Sequence, residues 1–521
     1  MAYYIDTNKT LIIYNTTTIA DGAFRDRTDF TGISIAATIT NIGKESFAGC
    51  SAVTSITVDS ANSTYYSSGN CIIRKSDSAV VVGCSTSVIP AGVNAIADSA
   101  FKGCIKSTST ITIPDGVKAI GTRAFEGCVN LTISVPYDMM YIGDYAFANC
   151  SSLYFKHRAK EGTDDKTLLQ YLGRGAFANN SNLDGQVKLT DADAVSISDY
   201  TFYKCKAGYF DLRTNHQIKY IGDYAFSDSD ISENAISNNT IKIGERAYAN
   251  TLFGGIETFR EISIGDYAFS NTPITEVILP NVTHLGEGAF NQCQYLEKVV
   301  LGTKLNKISD YLFQGCKKLT TINIPPSISE VGGMAFNGCG SPFIVNYGAC
   351  TCIPTFGTNV YYGVDSSTNT IIVPDNFFDK WPSIAQNMRK KGLSSTNYIR
   401  FVIDKYTFLG EKDTTWKQWV QSDYAKSYCL SDDRQTIWAL SRYIILDDRT
   451  INGQQLSYAI NWPSGDSVKS VGSRSGNATI SPDDKIYPDW DANHGTFSIA
   501  SGAMRSPYWS NERKQWMYND N

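Results

Sequence analysis

The sequence predicts an α/β-type solenoid, a stack of short coils whose strands form one long parallel sheet, followed by a small α+β module. Three observations predict it. A nine-residue motif recurs at fixed internal offsets through the first two-thirds of the chain. Each copy leads into a short strand-like stretch that stops at proline. Cysteine and tryptophan are segregated, with 12 of 13 Cys before residue 353 and all eight Trp from residue 381 onward. The implied organisation is a solenoid over 1–352, a capping segment over 353–398 and an aromatic-rich module over 399–521.

The motif reads roughly I-G-x-x-A-F-x-x-C. Its aromatic recurs at Phe24, Phe47, Phe101, Phe125, Phe147, Phe177, Phe202, Phe226, Tyr248, Phe269, Phe290, Phe313 and Phe336. Four residues earlier stands Gly in nine copies, Ala in two and Ser in two, always preceded by Ile, Leu or Val. Strict offsets inside a variable period define a coil whose turn cannot change while its connections can. The small residue is expected where backbone packs on backbone, and the aliphatic and aromatic are expected to face inward. One coil cannot bury such a face alone, but a stack can.

Strands follow the motif. Ile274–Leu279 and Leu319–Ile324 alternate apolar and polar residues and end at Pro280 and Pro325, the pattern of a strand that stops on schedule. Two intervals are long. Between Phe47 and Phe101, Cys71–Arg74 and Val80–Cys84 flank Lys75–Ser78 as a hairpin. Between Phe147 and Phe177, the polar stretch His157–Lys166 reads as a protruding loop.

Eight cysteines sit three residues after the aromatic: Cys50, Cys104, Cys128, Cys150, Cys205, Cys293, Cys316 and Cys339. Other copies put Arg27, Asn180, Ser229, Thr251 and Thr272 there. The position reads as a buried ladder for a compact, weakly polar side chain, since free Cys behaves as a small hydrophobe. Disulfides between neighbouring coils are within reach, but an odd total argues against a designed framework.

An open solenoid end exposes apolar core and unpaired strand edge. A cap is therefore required, and residues 353–398 are expected to supply it. In the module, Phe401–Phe408 alternates as a strand. Asp413–Thr415 offers helix caps for a segment with Trp416, Trp419, Val420 and Tyr424 on one face. Thr436–Leu440, Tyr443–Leu446 and Leu456–Ile460 read as strands.

The repeated I-G-x-x-A-F-x-x-C unit resembles the BspA-type, or Treponema-type, leucine-rich repeat family over residues of about 10–350. The resemblance implies a leucine-rich repeat solenoid whose last strand, Ile371–Pro374, leads into an amphipathic helix from Asp375–Trp381 that covers the open end, and family members are largely surface or adhesive proteins. The stretch Phe401–Ile460, carried by Thr415, Trp416, Trp419, Val420, Ser422 and Tyr424, looks like a module recurrent in virion structural proteins of gut bacteriophages.

Little chemistry is written into the chain. It has 521 residues, a net charge of −5 and only four His, which disfavours nucleic-acid binding and a His-rich metal enzyme. No P-loop, G-x-S-x-G or H-E-x-x-H appears, and no cofactor is implied. Asp489, Asp491 and Asn493 resemble the start of a calcium loop, but Ala500 stands where the twelfth-position Glu belongs. Acid pairs such as Asp432–Asp433 flank strands at turns. No apolar run is long enough for a membrane span or signal peptide, so a cytoplasmic product without classical export is expected.

The expected function is a non-enzymatic binding protein of a bacteriophage particle, a fibre or receptor-binding component. It would contact a host cell-surface protein or glycan through the solenoid, and other virion proteins through the module. The alternative is a bacterial or protist cell-surface adhesin, and a third reading is a polysaccharide-degrading enzyme with a catalytic C-terminal domain. Self-association into a homo-oligomer stays open. The residues expected to carry the architecture are Phe47, Phe101, Phe125, Phe147, Phe269, Phe290, Phe313, Phe336, Cys128, Cys150, Cys316, Trp416 and Trp419.

Overall fold

The structure, a computed structural model, describes residues 2–158, 168–186, 196–206, 218–231, 236–237, 239–340, 343–347 and 349–364, and beyond them the backbone of strands between 369 and 518. The chain divides into two compact units, residues 1–274 with 282–293, and 275–281 with 294–521.

The stacked, parallel-stranded solenoid is present, but the α/β assignment is corrected. Among the described residues every regular element is a strand. The return half of each coil is a series of tight turns. The cause is local: in all thirteen coils the residues two before and two after the aromatic have φ between 49° and 76°. A left-handed residue every fourth position cannot propagate a right-handed helix. Gly, Asn and Asp dominate the second of these positions, as the conformation prefers. Gln292 is a misfit there, exposed and with φ 60°. Gln292→Gly is expected to gain up to about 1 kcal/mol, from relieved strain less the added chain entropy. Thermal unfolding checks it; a lower melting temperature would contradict the assignment.

Each coil contributes two strands, so there are two rows in place of the single sheet expected. The first row is short. In the first unit it includes Ala119–Ile120, Tyr141–Ile142 and Tyr171–Leu172, paired in parallel with Ala119 beside Tyr141 and Tyr141 beside Tyr171. The second row is longer and holds Leu131–Val135, Leu153–His157 and Leu183–Gln186, again parallel. In the second unit the same rows appear as Lys307–Ile308, Glu330–Val331 and Thr355–Phe356, and as Thr321–Asn323, Ile344–Asn346 and Asn369–Val373. Ile120, Ile133, Ile142 and Phe155 are fully buried between the rows.

The first coil is covered. Ala2–Ile5 folds back antiparallel on Thr10–Tyr14, and the Tyr3 ring meets Phe24 edge-on at 5.1 Å. Arg27, at the cysteine position of this coil, lies over Tyr3, Phe24 and Phe30. The long interval after Phe47 does hold the hairpin, with Cys71–Arg74 antiparallel to Ala79–Val82, and Tyr65–Ser68 adds a third strand. It is not a surface loop, since Cys71, Ile72, Ile73 and Val80 are fully buried. The expected loop at His157 begins later, because His157 closes a strand and is buried; residues 159–167 lie outside the described residues.

One more turn of the same shape follows Cys352. Phe356–Gly357 leads to Tyr361, which stacks on Phe336 at 5.8 Å, with left-handed Asn359 and Gly363 on either side. The predicted covering helix after Val373 lies outside the described residues, as do the helix carrying Trp416 and Trp419 and the calcium candidates Asp489, Asp491 and Asn493. Strands Ile399–Ile403, Thr436–Ala439, Tyr443–Asp447 and Gln455–Asn461 overlap the strand readings of the module. The α+β assignment of that module is not supported, because every element described in it is a strand.

Candidate binding face

The aromatic column positions everything outside it. From Phe101 through Phe125, Phe147, Phe177, Phe202, Phe226, Tyr248 and Phe269 to Phe290, successive rings lie 4.8–5.6 Å apart and within 15° of parallel. Phe24 stacks on Phe47 at 5.4 Å, and in the second unit Phe313 stacks on Phe336 at 6.0 Å. Offset-parallel rings at these separations add about 0.5–1.5 kcal/mol per pair beyond burial. The backbone locks the register: Phe125 N donates to Ala146 O and Phe147 N to Ala176 O, each at 2.8 Å.

The cysteine position has a specific task. Cys50, Cys128 and Cys150 point Sγ at the carbonyl of the aromatic in the preceding coil, Phe24, Phe101 and Phe125, at 3.0–3.1 Å. Thr251 and Thr272 instead donate to their own aromatic's carbonyl, at 2.8 and 2.7 Å. Asn180 reaches both Phe147 O and Phe177 O. A compact donor satisfies the site, which is why Ser, Thr and Asn replace Cys there. Cys316 is fully buried too. All twelve described cysteines are free thiols.

Burial pushes the thiols of Cys50, Cys150 and Cys205 up to about 12 and those of Cys71 and Cys293 to about 11. In the unfolded chain they ionise near 9.0. Above that pH the unfolded state holds fewer protons, so their contribution to stability is complete below pH 9 and declines from there upward. Cys150→Ser keeps a donor and removes one such thiol. The melting temperature of the parent protein is expected to fall more steeply than that of the variant between pH 9 and 11. In native protein at neutral pH, peptide mapping after thiol alkylation is expected to find exposed Cys352 modified and Cys128 and Cys150 protected.

With the interior occupied by this column, binding chemistry is left to the outside. One stripe is distinctive. Six residues before the aromatic, on the outer face of the short strands, stand Tyr141, Tyr171 and Tyr220, exposed by 39, 39 and 45%. Three before it stand acids. Asp98, Asp144, Asp199, Asp223 and Asp266 each accept the backbone N–H at the same position of the next coil, at 2.7–2.9 Å. That acid recurs beside the small residue in the sequence and was the overlooked signal. Two before the aromatic, Tyr200 stacks on Tyr224 at 5.0 Å and Arg246 lies over Tyr267, while Arg174, three before Phe177, lies over Tyr200. Carboxylates thus recur along a rigid support with steps of about 4.8 Å, and phenols and guanidiniums stand beside them in several coils. Among the described residues no group of three or more His, Cys, Asp or Glu is placed to hold a metal.

Stacked coils with an inward aromatic ladder and two parallel strand rows define a repeat solenoid of the leucine-rich class. The model of the BspA type leucine rich repeat region matches residues 3–74, 82–160, 163–262 and 262–380, and the chain belongs to that family. A comparison with curated proteins finds no match. Among solved structures, a leucine-rich repeat protein from Bacteroides ovatus is similar in fold, with 22% identity, 77% of this chain and 97% of that chain covered, and a TM-score of 0.52. The pneumococcal vaccine antigen PcpA matches more loosely, with 18% identity, 74% and 84% covered, and a TM-score of 0.35. A leucine rich cell surface protein from Faecalibacterium prausnitzii gives 17%, 73% and 95%, and 0.26.

Proposed function

We propose that the chain is a non-enzymatic, adhesin-like binding protein of a bacterial cell surface. It engages a host surface protein or glycan through the tyrosine–carboxylate stripe of its first unit. The observation that carries this is the in-register repetition of exposed Tyr141 and Tyr171, and then Tyr220, beside an acid row on a rigid stack. Family membership supports it, since members are largely surface or adhesive proteins. The bacteriophage reading rests on the module motif and on the expectation of no classical export; Trp416 and Trp419 lie outside the described residues, and the family match ends at residue 380.

The test is binding of the labelled full-length chain to panels of immobilised matrix proteins and glycans. Saturable binding is expected, weakened by about tenfold or more in a Tyr171→Ala/Tyr220→Ala variant of unchanged melting temperature. Binding to nothing in the panels, or binding indifferent to the pair, overturns the assignment of the stripe. Release of reducing sugar from polysaccharides overturns the non-enzymatic reading.

A further inference from the structure

Four tyrosines on this face form two stacked pairs. Tyr141 and Tyr171 lie face to face, with centroids 4.7 Å apart and planes 10° from parallel. Tyr200 and Tyr224 repeat the arrangement at 5.0 Å and 6°. In each pair one phenol donates to a carboxylate: Tyr171 Oη to Asp144 Oδ1 at 2.9 Å, and Tyr224 Oη to Glu245 Oε1 at 3.0 Å. In each pair the partners belong to adjacent coils that the aromatic column already holds together.

We propose that Tyr141–Tyr171 and Tyr200–Tyr224 are oxidative cross-linking sites, where a one-electron oxidant of the haem-peroxidase and hydrogen peroxide class joins neighbouring coils through dityrosine. A phenol that loses an electron becomes a strong acid, and a positioned carboxylate receives its proton in the same step. Asp144 and Glu245 occupy that place. Each ring gives up one electron and its phenolic proton. The two phenoxyl radicals couple through their ortho carbons, and each ortho hydrogen then moves to the phenol oxygen as aromaticity returns. One carbon–carbon bond forms, and one hydrogen peroxide takes the two electrons and two protons to become two waters.

Burial and the bond to Asp144 hold the Tyr171 phenol up at about 12, so it is protonated at neutral pH and its oxidation must release that proton. The rings of each pair already lie in contact in the folded chain. The product ties residues 30 apart in sequence and removes conformational freedom from the unfolded chain. Tyr4 and Tyr14 provide an internal comparison: both are exposed, their rings are 5.8 Å apart, but they cross at 72°.

The experiment treats the full chain with a haem peroxidase and hydrogen peroxide and follows dityrosine fluorescence and cross-linked peptides by mass spectrometry. Within monomeric protein, links are expected at Tyr141–Tyr171 and Tyr200–Tyr224, in excess over Tyr4–Tyr14. Tyr171→Phe abolishes the first link and leaves the second. Asp144→Asn slows the first on the order of tenfold, the low side of what a positioned proton acceptor contributes, and leaves the second unchanged. Because Asp144 also accepts the Arg174 N–H, its variant is read alongside the melting temperature of unlinked protein, while Tyr171→Phe leaves that contact intact. Equal yields across exposed tyrosines, no intramolecular link, or an Asp144→Asn rate equal to the parent's would overturn the proposal.

Discussion

Phe147→Ala is expected to cost about 3–5 kcal/mol and to release the coils on either side of it. Phe147 is fully buried, lies between Phe125 and Phe177 at 5.3 and 5.4 Å, and receives Phe155 edge-on. The truncation therefore opens a void shared by three coils. In a solenoid each coil is stabilised by its neighbours, so the loss spreads along the stack. Thermal unfolding is expected to show a large fall in melting temperature, or a separate early transition, with exchange protection lost around residues 120–180. Tyr248, which the native chain uses at the equivalent place, sets the contrast: Phe147→Tyr keeps the ring and is expected to cost far less. A Phe147→Ala variant as stable as its parent would mean that the rings fill space without holding the coils.

Gly286→Val is the second large effect. An added Cβ at Gly286 would stand 2.4 Å from Asp266 N and from Gly265 C, inside the backbone of the preceding coil. The obstacle is main chain, so no side-chain rotation relieves it. We expect a loss of at least about 3 kcal/mol, read as reduced soluble yield and a lowered melting temperature. Two of the four exceptions in the sequence, Ala97 and Ser198, have local partners at this position. Ala97 donates its N–H to Val80 O, so at this position a strand of the inserted meander takes the place of the preceding coil. Ser198 turns its hydroxyl onto Leu172 O at 2.6 Å. Stability of the valine variant equal to the parent's would show that the coils are not in backbone contact there.

The aromatic column and the close-packed glycines were legible because each repeats at a fixed offset and each answers a need of a single coil. The thiol ladder was legible as a compact buried position, but its direction, onto the preceding coil's carbonyl, appears only when two coils are side by side. The α/β assignment failed for a physical reason. The return half of the coil has the composition of a short helix, and its two left-handed residues include Tyr145, Tyr200 and Arg246, which do not announce that conformation as glycine does. The single long sheet failed because a two-residue strand such as Tyr141–Ile142 is too short to show a period. The carboxylate row was in plain sight beside the small residue. Its role is a cap between coils, which no reading of one repeat in isolation supplies. The exposed tyrosines carry no periodic signature, since Tyr141, Tyr171 and Tyr220 share their position with Ser196 and Lys242.

The most direct test of the coil-stacking account is native-state hydrogen exchange at the amides of Phe125, Phe147, Phe177, Phe202 and Phe226. Each donates to a carbonyl of the following coil at 2.7–2.9 Å beneath a stacked ring. The account predicts that these amides exchange last and as a group, through an opening that breaks the stack. Exchange at the rates of exposed turns, or independent rates at the five positions, would contradict it.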